Sequence, residues 1–431
     1  MAKSNKKNKK SKKNGGFSAA AIIEKIKTNR KVVIIAGCIM LGLILACTTI
    51  FTVKTIKRRR ADRTVRIAFF DLDENYIDVL KAEIPQEENI ILKFDVLTAE
   101  DFKLEDVKNN YDMLFTWRGE VTDELAADAE KIPEKIQETM PRSLRNEKCL
   151  PIFLDHYEIA YKNEILKKTV EEVPYSFAQL QDYLDSAKSY VFSPFFCSGA
   201  EDRILIDFVG AMIMAKGGLK AYNKLIDELR KLPETSDVSS DSSTDGSLGK
   251  IIDIDLDGRG CSVRQILDLL KTWPKEGLTH PSWYNGLGND LLYFAQANQL
   301  GSFFTSLSEH RKIPYNVIKN YESALVPSNQ DAGNYGLIAP AVSVMLISDN
   351  SNCKRYLAEF FTEDAQADIS NLTNLAPVHY RAQAYDRQAD DVRFWAASCA
   401  GGAVPDLYLA AFQVRQEELK KLCDEIRTYV R

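Results

Sequence analysis

Thr64-Val-Arg-Ile-Ala-Phe-Phe70 opens the part of the chain that decides its fold. The run is β-branched, aromatic and alternating, which predicts a first strand. Residues 75–83 follow with apolar positions at helical spacing: Tyr76, Ile77, Val79 and Leu80. Residues 89–97 read as a second strand, 99–109 as a short helix, and Tyr111-Asp-Met-Leu-Phe-Thr-Trp117 as a third strand. Residues 150–161 form a fourth extended region. Strands alternating with helices predict a parallel α/β sheet.

Beyond Lys162 the pattern turns mostly helical. Ser176 and Gln179 form a capping box that starts a helix over 176–187. A strand is expected at 189–196, then an apolar helix at 202–214 that ends on Gly217-Gly218, then a second helix at 219–229. Residues 233–249 are rich in Ser, Asp, Thr and Gly and predict a mobile loop. A helix at 263–273, one at 291–299 and a strand at 301–307 come next. Residues 335–348 are extended and contain Pro340, which predicts an edge or crossing segment and not a central strand. Helices complete the chain over 352–361, 363–370, 391–397, 406–412 and 414–431. This order suggests two lobes visited more than once: 61–155 with 345–385, and 156–344 with 386–431.

Ahead of this body, Val32 to Val53 is a run of 22 residues without a charge, bracketed by Lys and Arg. As a helix it would span a hydrocarbon core of ~30 Å. Residues 1–31 hold eleven Lys/Arg against Glu24, and predict a disordered cytoplasmic tail. The far flank holds five, Lys54, Lys57, Arg58, Arg59 and Arg60. The asymmetry favours a single-pass anchor in the inner membrane, with the bulk of the chain extracytoplasmic. Lipidation at Cys47, after Ile44-Leu45-Ala46, is the competing reading and leaves the body on the same side.

The chain totals 56 Lys/Arg and 61 Asp/Glu, but 16 of the former and one of the latter precede Ala61. The remainder stands at 40 against 60, a strongly acidic body unsuited to nucleic acid. The six cysteines after Cys47 and the four histidines are scattered, with no zinc-ligand spacing, and neither a metal nor a cofactor is expected. Asp253-Ile-Asp-Leu-Asp-Gly258 begins like a calcium loop, but position twelve is Arg264 where a glutamate is required. No nucleophile elbow or triad pattern is present, so no enzymatic activity is expected.

Several segments together resemble the extracellular solute-binding proteins, the type 2 periplasmic-binding fold of the sugar-binding class. Tyr111–Trp117 looks like that family's third strand, and Tyr157-Glu-Ile-Ala-Tyr-Lys-Asn-Glu-Ile-Leu166 like its first hinge strand. Tyr175-Ser-Phe-Ala-Gln-Leu180 and Leu292-Tyr-Phe-Ala-Gln-Ala-Asn-Gln-Leu300 take the places of two characteristic helices. Residues 336–348 followed by 352–361 look like the second hinge crossing and its helix, and Leu375-Ala-Pro377 like a short turn. Asn298 and the missing Ala-Met pair depart from the family pattern.

The resemblance implies a two-lobed fold preceded by one transmembrane helix, capture of a small polar ligand such as a carbohydrate, and a partner permease of an ABC-type transporter. A degenerate fold serving as a surface interaction module is the alternative. In such a fold ligands meet strand ends and aromatic faces. The candidates are Trp117, Arg118 and Glu120; Asp155 and Tyr157 at the hinge; Trp283 and Tyr284; and Asn334 and Tyr335.

Overall fold

The computed structural model describes residues 63–169, 172–233, 246–329 and 334–431. The expected tail and membrane span, residues 1–31 and 32–53, lie outside this set, as does most of the expected loop at 233–249. Among the described residues no helix is long and apolar enough to cross a membrane. The end of the expected loop is ordered as part of a helical turn, Ser247–Ile251.

Twelve strands are described: β1 (Thr64–Phe70), β2 (Ile91–Leu97), β3 (Met113–Trp117), β4 (Cys149–Leu154), β5 (Tyr157–Lys162), β6 (Ser193–Phe196), β7 (Leu300–Ser306), β8 (Tyr321–Leu325), β9 (Leu337–Ile338), β10 (Ala341–Leu346), β11 (Ala376–Pro377) and β12 (Ala403–Val404). Six of them form one sheet in the order β11-β4-β10-β3-β1-β2, and four form a second in the order β6-β7-β5-β8. β9 and β12 pair on their own.

In the first sheet β1 runs parallel to both β2 and β3, as the alternation predicts. β10 enters antiparallel between β3 and β4. This corrects the expectation that residues 335–348 avoid a central position: the run is not an edge, and its crossing part is confined to the residues before Ala341. Pro340 lies just before the strand, so its missing N–H removes no ladder bond. Its carbonyl accepts the Asp155 N–H at 2.8 Å. The fourth extended region is likewise two strands in two sheets, parted at Asp155-His156. The chain therefore passes between sheets at 155–156 and again near Pro340, and the two passages are hydrogen-bonded side by side. The β9–β12 pair ties a third passage to the second.

Helices cover the sheets. In chain order the principal ones are α1 (Glu74–Ala82), α2 (Leu104–Asn110), α3 (Glu120–Leu125), α4 (Phe177–Ala187), α5 (Asp202–Arg230), α6 (Val263–Glu276), α7 (Gly288–Gln296), α8 (Leu307–His310), α9 (Ser351–Glu359), α10 (Glu363–Thr373), α11 (Arg387–Ser398), α12 (Leu407–Ala411) and α13 (Gln416–Val430). The Ser176–Gln179 capping box starts α4 as the sequence predicts. The Gly217-Gly218 pair marks a kink inside α5, where Gly218 takes φ 75°. A side chain there would collide with Asn334, whose carbonyl accepts the Leu219 N–H at 2.8 Å. α11 packs on β11 yet also reaches the second sheet, through Arg311–Asp386 at 2.6 Å and Gln388–Glu158 at 2.5 Å.

Candidate functional site

A cavity of about 410 Å³ lies where strands of both sheets end. Asp71 and Asp73 follow β1, Thr98 follows β2, and Trp117 closes β3. Asp155 and Tyr157 come from the first passage between sheets. Ser306 ends β7 and Ser308, Glu309 and Lys312 follow it, and Glu201 and Arg203 lie at the start of α5. A second compartment of about 470 Å³ shares Glu201, Ile204, Glu309 and Lys312 and continues over Leu287, Leu291 and Phe304. A wider surface hollow of about 930 Å³ is lined by residues of helices and their ends, such as Ile252, Arg264 and Tyr429, and touches no strand end.

Period-two alternation splits the passage strand. Asp155 and Tyr157 face the cavity, while His156 and Glu158 point away from it. The Asp155 carboxylate accepts the Ser308 hydroxyl at 2.5 Å and the Ser308 and His156 backbone N–H groups at 3.1 and 2.8 Å. Burial still pushes its carboxyl up, with these bonds pulling the other way. Tyr157 stacks on Phe304 with ring centres 5.1 Å apart. Its hydroxyl donates to Asp207 at 2.6 Å.

Below the cavity three carboxylates share one guanidinium. Arg203 lies 3.3 Å from Asp406 and 3.9 Å from Asp207. Its side chain is 39% exposed, and it sits over the rings of Trp117 and Tyr408 at 5.8 and 4.8 Å. Burial and the neighbouring Asp406 push the Asp207 carboxyl well up, against the pull of Arg203. Asp71 is pushed to about 6 by burial, which Arg203 and Gln413 only partly oppose. Asp71 also holds φ 55°, a left-handed conformation uncommon for a residue with a side chain.

On the other side of the strand Glu158 is fully buried and richly paired. His310 Nδ1 lies at 2.5 Å, His156 Nε2 at 3.0 Å, and the Ser323 hydroxyl donates at 2.7 Å. Burial raises its carboxyl, but the two histidines outweigh that and hold it well below the usual range.

Of the nine residues singled out in the sequence, the cavity gathers Trp117, Asp155 and Tyr157. The other six sit elsewhere. Arg118 turns toward the Ala403 carbonyl at 3.5 Å. Glu120 pairs with Arg415 at 3.1 Å and lines a separate hollow. Trp283 is core, edge-on to Phe208, and Tyr284 packs beside it against Gly199. Asn334 lies against the α5 kink, and the Tyr335 carbonyl accepts the Cys399 thiol at 2.6 Å. The sequence reading passed over Asp71, Asp73, Tyr76, Glu201, Arg203, Glu309 and Lys312. For Asp71 and Asp73 a signal existed, since they directly follow the first strand.

The calcium-like loop is satisfied internally. Asp255 accepts the Gly258 and Gly260 N–H groups, and Asp257 those of Arg259 and Cys261. Arg264, standing where the glutamate would be, makes a two-bond pair with Asp253 at 2.5 and 2.8 Å. Among the described residues no group of three or more His, Cys, Asp or Glu could hold a metal ion, and all six described cysteines are free.

No protein-family model and no curated protein sequence matches the chain. Solved structures do. The bacterial solute receptor AcbH, described with an exclusive preference for β-D-galactopyranose, superposes with a TM-score of 0.65 at 12% identity, over 85% of this chain and 95% of its own. The putative binding protein MsmE of Bacillus subtilis, in an open conformation, gives 0.59 at 11% identity over 85% and 95%. Apo RafE of Streptococcus pneumoniae gives 0.58 at 12% identity over 85% and 97%.

Proposed function

We infer that this chain, which has the two-lobed α/β fold of solute-binding proteins, captures a small polar ligand and performs no chemistry on it. The observation that carries the reading is the composition of the 410 Å³ cavity: residues from both sheets and from the passage between them converge on one space. A ligand there touches both lobes at once, so it stabilises the closed arrangement over the open one and drives a hinge motion. The lobes are taken as 61–155 with 345–385 and 156–344 with 386–431, hinged at 155–156 and near Pro340. Trp117, Asp155 and Tyr157 are assigned to ligand contact, joined by Asp73, Tyr76, Ser308 and Glu309. Aromatic edges beside carboxylates and hydroxyls suit a hydroxyl-rich ring, and the solute receptors named above support a carbohydrate.

The charge pattern before residue 61 supports tethering by the 32–53 segment, with the body outside the inner membrane and delivery to an ABC-type permease. A thermal-shift screen of sugars, oligosaccharides and polyols tests capture. A rise of several degrees with one ligand class supports it. A flat screen, together with a protein partner recovered by cross-linking in intact cells, supports a surface interaction module instead.

A further inference from the structure

The cavity is short of positive charge. Five carboxylates line it, Asp71, Asp73, Asp155, Glu201 and Glu309, against two cations, Arg203 and Lys312. Both cations are already engaged. Lys312 pairs with Glu309 at 2.6 Å, and Arg203 with Asp406 and Asp207, which lie outside the lining. Two further side chains line the cavity while more than nine-tenths buried: Tyr76 at 7% exposure and Trp117 at 6%. Both side chains line the cavity, and the interactions of the Tyr76 hydroxyl are with the charges of Asp155, Asp73 and Glu309. Burial, together with these charges, pushes that hydroxyl up. The lining is thus net acidic, although Asp155 is met by Ser308 and the His156 N–H, Glu201 by the Gly288 N–H at 2.8 Å and Glu309 by Lys312, and it sets polar aromatic groups beside those carboxylates.

A neutral sugar would meet the aromatic hydroxyl and N–H but leave the charge uncompensated. Covering the cavity would then strand several carboxylates away from water, which is costly. A protonated amine removes that cost, since its three N–H groups match carboxylate acceptors at short range. Resting on the capture reading above, we propose that the solute is a cation: a hydroxylated amine such as a protonated amino sugar. Its ammonium sits among Asp73, Asp155 and Glu309, and its hydroxyls meet Tyr76, Trp117 and Ser308.

The test is calorimetric titration of the full chain in detergent with matched disaccharides: the β-1,4-linked glucosamine dimer, its N,N'-diacetyl form, and cellobiose. The amine should bind at least ten-fold more tightly than either neutral partner, with the advantage shrinking as salt is raised. Asp73 is exposed and caps α1 without a side-chain hydrogen bond, so Asp73→Asn leaves folding alone. It should weaken the amine several-fold and by more than it weakens cellobiose; Glu309→Gln should do the same. Equal or tighter binding of a neutral disaccharide overturns the cationic assignment while leaving capture standing. Amine affinity unmoved by both substitutions overturns the placement. Absence of binding by every sugar, charged or neutral, removes the capture reading and this inference with it.

Discussion

Two buried acid clusters flank the same strand, β5, and stand in opposite balance. Behind it, Glu158 is one carboxylate receiving two histidines, a serine hydroxyl and a glutamine amide. In front of it, Asp71, Asp207 and Asp406 share the single Arg203. The first cluster joins β5, α8, β8 and α11 and gathers its partners from within the protein. The second faces the cavity and is less fully paired. On the capture reading, stability is concentrated beside the proposed hinge, and the less fully paired carboxylates lie where the solute would bind.

The largest expected effect breaks the first cluster. Glu158→Ala strands His156 and His310 in the core, and should cost about 3–5 kcal/mol, read as a fall in the urea midpoint at pH 7. A change under about 1 kcal/mol would mean the cluster does not anchor the passage at 155–158.

The next effect has the opposite sign and tests the second cluster. Burial raises the Asp71 carboxyl from 3.8 to about 6, so between those values the folded protein holds a proton that the unfolded chain has released. Stability from this group is therefore greatest near pH 4 and is lost as pH rises through about 6, a swing of about 2–3 kcal/mol for a shift of roughly two units. Asp71→Asn should be more stable than the parent at pH 7.5, and the gap in Tm should close on acidification to pH 4.5. A gap independent of pH would assign the effect to the left-handed backbone instead, where asparagine is favoured over aspartate only slightly. Glu158 has the reverse dependence: its contribution is present above the usual glutamate value and is lost as pH falls toward its depressed one.

Smaller effects belong to single contacts. Tyr76→Phe removes a hydroxyl from the cavity lining, so Tm should hold while ligand affinity falls about 3–10-fold, the worth of one hydrogen bond. Smallest is Asp253→Ala, which breaks a surface pair with Asp253 68% exposed. It should leave Tm within measurement error of the parent, because water screens so exposed a pair, and calcium should leave Tm unmoved with or without it.

The comparison also shows what the sequence could carry. Local patterns announced β1 to β3, the α4 cap and the α5 kink, because period, capping and glycine conformation are properties of neighbours along the chain. Trp117, Asp155 and Tyr157, three of the nine proposed contacts, are the ones the cavity gathers, and each lies at a strand boundary. Arg203, Glu309 and Lys312 were not legible, because what brings them together is the meeting of two sheets. Trp283 misled: an aromatic after a proline turn looks available, but only packing against Phe208 reveals it as core. Pro340 misled in a different way, since a one-residue offset separates a proline that would break a central strand from one that introduces it.

That offset has a consequence for assembly. β3 ends at Trp117 and β4 at Leu154, but the strand that zips them together, β10, is not made until Ala341. During synthesis the N-terminal sheet waits with two raw interior borders, while the four strands of the other sheet are all in hand by Leu325. The later-starting half can thus close first, and the half nearest the N-terminus is the one exposed to strand-pairing accidents.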